Sequence, residues 1–143
     1  MTNKLVEIAL SQYGVKEIEG TKHNQTVVNY AKESGFTWVN DDETAWCSIF
    51  MNWVALKAGF ERSKKANARS WLNEGELVLL PLLGDIVILK RGTSEWQGHV
   101  GIFISFSEDD NFINLLGGNQ GNSVSIAKYK VSDVLGYRRL KEV

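Results

Sequence analysis

The apolar positions of the chain change rhythm once, near Gly84. Upstream they recur every three or four residues; downstream they fall into short runs rich in β-branched residues. The upstream rhythm predicts helices. Residues 2–13 place Leu5, Ile8, Ala9 and Gln12 on one side and stop at Gly14. Residues 15–23 hold a Gly20-Thr21 turn signal and read as a loop. Asn24 is predicted to cap a second helix with Val27, Tyr30 and Ala31 on one face, closed by Gly35. Residues 36–43 form a polar loop containing Trp38. The strongest helical pattern covers residues 45–58, with Cys47, Phe50, Met51, Val54 and Ala58 on a single face. Trp46, Ile49 and Trp53 add a second apolar face, which leaves little of this helix for water. Gly59 is its expected C-cap. A basic link at residues 63–65 leads to a short helix over residues 66–73, where Arg69, Ser70 and Trp71 are assigned to packing.

The downstream runs predict strands. Gly84-Asp85 is a turn opening Ile86-Val87-Ile88-Leu89; Asp85 is assigned to turn geometry. A polar turn at residues 91–98 leads to a strand over residues 99–104. There Val100, Ile102 and Ile104 share one face, and His99, Gly101 and Phe103 the other. A third strand over residues 112–116 is expected to stop at Gly117-Gly118, and residues 124–127 and 135–140 offer two more. Helices first and an antiparallel meander second define an α+β class. With no repeat, linker or low-complexity stretch, 143 residues read as one domain, 1–143.

Composition narrows the functional classes. The chain is 43% apolar and 23% charged with a net charge of −1, which gives no reason to expect nucleic acid or an anionic membrane as partner. A single cysteine excludes an intrachain disulfide and a cysteine-rich zinc site. No run approaches the roughly 18 apolar residues of a membrane span, and the N-terminus lacks the apolar core of a signal peptide. The expectation is synthesis in the cytoplasm.

The single cysteine is also the main chemical candidate. In the first helical turn Cys47 meets unpaired backbone N–H groups and the positive end of the helix dipole, which favour a thiolate. The acidic run Asp41-Asp42-Glu43 could cap this helix but would oppose the thiolate at close range. Buried cysteines with no chemistry are common, and the local pattern fits that reading as well. His99, flanked by Gly98 and Gly101, is placed as a general base with open access to its ring. A Cys at a helix start facing a strand His is the arrangement of an activated nucleophile. Asn119 is the nearest polar group in sheet order to orient the imidazole, with Gln120 beside it, although Gly-Gly-Asn-Gln-Gly-Asn equally reads as a turn.

Three segments together resemble the CHAP and NlpC-type cysteine peptidases, papain-like peptidoglycan hydrolases. They are Glu43-Thr44-Ala45-Trp46-Cys47-Ser48, Gly84-Asp85-Ile86-Val87 and Gly98-His99-Val100-Gly101-Ile102. Val15-Lys16-Glu17, Ala68-Arg69-Ser70-Trp71-Leu72, Gly117-Gly118-Asn119-Gln120 and Gly136-Tyr137-Arg138 resemble a subgroup found in phages and bacteria. The resemblance implies a papain-like fold, with the cysteine on a central helix packed against an antiparallel sheet. It implies Cys47 as nucleophile, His99 as base and Asn119 as orienting residue, and Trp46, Trp38, Trp96 and Gln120 as substrate contacts. Where CHAP domains carry Glu-x-Asn after the histidine strand, this chain has Gly117-Gly118-Asn119, so only the Asn matches.

The implied activity is hydrolysis of a cell-wall amide without cofactor or metal, by an N-acetylmuramoyl-L-alanine amidase or a stem-peptide endopeptidase. Peptidoglycan is the expected substrate and the bacterial cell wall the site of action, as for a phage endolysin or an injected antibacterial effector. A holin-type helper or an immunity protein is the partner such roles call for. Two rivals remain at this level: a catalytically silent wall-binding module of the same fold, and a zinc amidase using His23, Cys47 and His99 as ligands.

Overall fold

A computed structural model describes residues 3–16, 25–36 and 46–143. The acidic run at residues 41–43, the Gly20-Thr21 turn, the Asn24 cap, His23 and Trp38 lie outside the described residues. Among the described residues, three α-helices come first: α1 (Lys4–Leu10), α2 (Gln25–Glu33) and α3 (Cys47–Ala58). A 3₁₀ helix (Ala68–Asn73) follows, and then six strands: β1 (Glu76–Val78), β2 (Ile86–Lys90), β3 (Gly98–Phe106), β4 (Phe112–Gln120), β5 (Ser123–Lys130) and β6 (Val134–Arg139). They form one antiparallel sheet in the order β1-β6-β2-β3-β4-β5. The class is α+β.

Helix α3 is buried nearly all round, as its two apolar faces require; only Leu56 and Lys57 are exposed. Gly59 closes it in the left-handed conformation at φ 80°. Two polar residues inside it, Ser48 and Asn52, are also fully buried, and their hydrogen bonds explain why. Ser48 Oγ donates to the Lys65 carbonyl at 2.7 Å and accepts from Trp71 Nε1 at 2.9 Å. Asn52 Nδ2 donates to the Ser48 and Lys65 carbonyls, while its Oδ1 accepts the Lys64 N–H at 2.8 Å. The basic link at residues 63–65 is therefore tied to the helix through its main chain.

The core lies between the helices and one face of the sheet, where Leu5, Val27, Tyr30, Phe50 and Val54 meet Ile86, Ile88, Val100, Ile102 and Leu116. A smaller cluster of Val87, Leu89, Phe103, Ile113 and Leu115 covers the opposite face. Strand β2 is thus buried on both sides, which accounts for its unbroken apolar run. The expected alternation along β3 holds, with Val100 and Ile102 in the helix-side core and Phe103 in the other cluster.

Two strand assignments need correction. Strand β4 does not stop at Gly117-Gly118 but continues to Gln120. A Cβ at position 118 would lie 2.7 Å from Phe50 Cβ and 2.8 Å from the Trp46 ring, so this glycine lets α3 approach the sheet. The turn itself is Gly121-Asn122, both at positive φ (61° and 60°), the signature of a two-residue hairpin between paired Gln120 and Ser123. Strand β1 gave no alternating signal, and it forms by pairing along β6 at the sheet edge. Asp85 has the structural place expected of it. It is buried and accepts a two-pronged bond from Arg139 (2.8 Å to each oxygen) and the Leu82 N–H at 2.7 Å.

Candidate active site

Cys47 is the first residue of α3 and His99 the second of β3, and the packing of helix on sheet brings them together. The imidazole is held on its far side. Gln120 donates both amide hydrogens, to the Leu115 carbonyl at 3.0 Å and the Ser125 carbonyl at 2.7 Å. Its Oε1, the acceptor end, is then the atom 2.9 Å from His99 Nε2. An acceptor there requires the hydrogen to sit on Nε2 in the neutral ring. The other nitrogen, Nδ1, is buried without a formed hydrogen bond and is left to serve Cys47. Tyr129 on β5 completes the enclosure, with its hydroxyl 3.2 Å from Nε2 and its ring 5.1 Å from the imidazole.

The thiol is acidified despite its burial. Burial is the largest single influence and pushes the Cys47 pKa up. The facing His99, the Val100 backbone N–H and the Arg91 charge together outweigh it, and the net shift is downward. Tyr129 moves the other way, to about 12, first through burial and then through the negative charge at Cys47, with Arg91 opposing. The tyrosine hydroxyl therefore stays neutral.

A cavity of about 180 Å³ opens beside Cys47, lined by Ala66, Asn67, Ala68, Arg91, Trp96, Gln97 and Gly98. Its outer wall, the 91–97 loop, is clamped by Arg69, which donates from Nε to the Gln97 carbonyl (2.8 Å) and from Nη2 to the Ser94 carbonyl (2.7 Å). Arg69 thus holds a cleft wall in addition to packing.

The structure redistributes the residues expected at this site. Cys47 and His99 lie together. Asn119 does not meet His99: a bulge in the β4–β5 register turns it to φ 58°, and Gln120 takes the orienting place instead. Gln120 consequently sits behind the histidine with its amide fully engaged, not in the cleft as a substrate contact. Trp46 is also not in the cleft; it is 1% exposed and packs near Tyr30 and Phe50, with centroids at 6.3 and 6.4 Å. Trp96 does line the cavity and is 73% exposed. Gly98 and Gly101 do not serve to open the ring of His99. A Cβ at 98 would collide with the Leu89 carbonyl (2.7 Å) and one at 101 would crowd Leu115 (3.1 Å), so both serve strand packing. Among the described residues, no group of three His, Cys, Asp or Glu side chains is arranged as a metal site.

Sequence reading missed Tyr129 and Arg91. Tyr129 arrives through sheet register alone and has no local signal. Arg91 had one: in the β2–β3 hairpin Leu89 pairs with His99 and Lys90 with Gly98, so the next residue must emerge beside the histidine.

The molecule is therefore an α+β protein with a helix-start cysteine acidified against a strand histidine. Its fold is similar to that of a lipoprotein of the NLP/P60 family from Staphylococcus aureus subsp. aureus Mu50, with a TM-score of 0.51 and 17% identity. The likeness covers 96% of this chain and 40% of that protein, so this chain corresponds to less than half of it. No protein-family model and no curated protein sequence matches the chain.

Proposed function

We propose that this chain is a cysteine peptidase acting on peptidoglycan, cutting an amide bond in the stem peptide or between the peptide and the sugar. The observation that carries the reading is the locked imidazole. Gln120 fixes the hydrogen on Nε2, which directs Nδ1 to an acidified Cys47. The fold likeness to an NLP/P60 lipoprotein supports the wall as the place to look.

In this reading the Cys47 thiol passes its proton to His99 Nδ1, and the thiolate attacks the amide carbonyl carbon to form a C–S bond. The tetrahedral oxyanion is met by the Cys47 backbone N–H, in the helical turn whose donors lack intrahelical partners. The imidazolium gives its Nδ1 proton to the nitrogen as the C–N bond breaks, and the amine leaves. Imidazole then takes a proton from water, the hydroxide oxygen adds to the thioester, and the C–S bond breaks to release the carboxylic acid. No further cofactor enters. A phage endolysin or an injected antibacterial effector is the role this activity fits, with a holin-type helper or an immunity protein as its counterpart.

The test is digestion of purified peptidoglycan by the wild type and by Cys47→Ala, with products identified by mass spectrometry. Fragments are expected from the wild type and none from the variant, and their masses name the bond. Equal release by both proteins would remove Cys47 from the chemistry. Absence of release by a folded wild type on every wall type would turn the reading to a binding module.

A further inference from the structure

The cleft holds a cation to which the reaction just described gives no contact with substrate. Arg91 follows β2 directly, lines the cavity beside Cys47 and is exposed. Each of the other arginines is engaged. Arg62, Arg69 and Arg138 donate to backbone carbonyls, and Arg139 to Asp85. The salt bridges among the described residues involve Lys57, Lys90, Arg139 and Lys141, and Glu95 on the same loop makes none with Arg91. The guanidinium nevertheless lies within electrostatic range of the reacting atoms, since its charge acts on both Cys47 and Tyr129. The wall that carries it is fixed by the Arg69 clamp at Ser94 and Gln97. A planar five-donor group on a fixed wall beside a nucleophile, with no ion pair to a carboxylate among the described residues, is built to receive a carboxylate as a fork.

We propose that Arg91 is a carboxylate subsite of this cleft, selecting substrates with a free carboxylate close to the scissile amide. The proposal rests on the reading of Cys47 as the nucleophile. Stem peptides carry free carboxylates, whereas the sugar of the muramoyl amide presents none, so the subsite faces the stem side of whichever bond is cut.

The experiment compares two small electrophiles of the same size, iodoacetate and iodoacetamide, as alkylators of Cys47. Both rates scale with the thiolate population, so their ratio cancels any change in thiol acidity and reports attraction of the anion alone. Arg91→Gln is expected to lower the iodoacetate-to-iodoacetamide ratio roughly two- to fivefold, the scale of an exposed charge pair. Arg91→Lys should restore most of the ratio, and added salt should shrink the wild-type ratio while leaving that of Arg91→Gln nearly unchanged. Equal ratios in the wild type and Arg91→Gln would overturn the subsite while leaving Cys47 as nucleophile. A Cys47 inert to both reagents would overturn the nucleophile and the subsite together.

Discussion

His99 shows how one side chain is specified by its neighbours. Its tautomer is set by Gln120, whose own orientation is set by two main-chain carbonyls of the sheet. Gln120→Leu is expected to reduce turnover roughly ten- to a hundredfold, less than the loss of a general base itself. Asn119→Ala should stay near wild type. Steady-state kinetics on a wall fragment checks both, and a reversed pattern would return the orienting role to Asn119. The acidity of Cys47 gives a second expectation. Its pKa is lowered in the folded protein, so thiolate persists below the ordinary thiol range near ~8.5. The alkylation rate by iodoacetamide should therefore reach its midpoint at a lower pH than for a free thiol. His99→Ala leaves burial less opposed, and the midpoint should move up; an unmoved midpoint would separate the two residues. That Cys47 opens a buried helix and His99 a strand was readable locally, but their pairing rested on the resemblance, because the pattern around Cys47 suits a buried structural cysteine equally. Asn119 and Gln120 were not separable, because which of them faces the imidazole depends on a bulge.

At the level of elements, the contact of α3 with β4 decides whether the nucleophile reaches its base. Gly118 leaves room at that contact for Phe50 and Trp46, which a side chain there would meet. Gly118→Ala is expected to cost about 1–3 kcal/mol, as overpacking does, and to lower Tm by several degrees in a calorimetric scan. An unchanged Tm would mean the helix can yield at this point. The glycine pair misled sequence reading because the residue that marks turns also permits close approach, and only the facing rings distinguish the two. The helix itself was legible within two residues at its start, since an all-round apolar pattern admits only a buried place. The role of Asn52 was not, because its partners are backbone groups of the 63–65 link, which show nothing of themselves in the sequence.

Across the whole molecule, the order of helices then antiparallel strands was readable from the single change in apolar rhythm. The spatial order β1-β6-β2-β3-β4-β5 was not, since β1 and β6 pair across the length of the meander. At that edge Leu77, Leu79, Leu80, Leu82 and Leu83 are all more than half exposed, with Leu79 at 89%. An apolar stretch beside an edge strand promotes association of the folded protein. Leu79→Lys is expected to reduce concentration-dependent light scattering while changing stability by no more than about 0.5 kcal/mol. Scattering equal to wild type would show that the stretch is not where copies meet.

The unequal burial of the indoles has an optical consequence. Among the described indoles, Trp46 and Trp71 are sealed at 1% and 0% exposure and Trp53 is nearly so, whereas Trp96 stands open on the cleft wall. The first three should emit in the blue and resist acrylamide, while Trp96 emits toward the red and is quenched readily. In a Trp38→Phe background, occupancy of the cleft is then visible as a change in the quenchable fraction of intrinsic fluorescence, without any label.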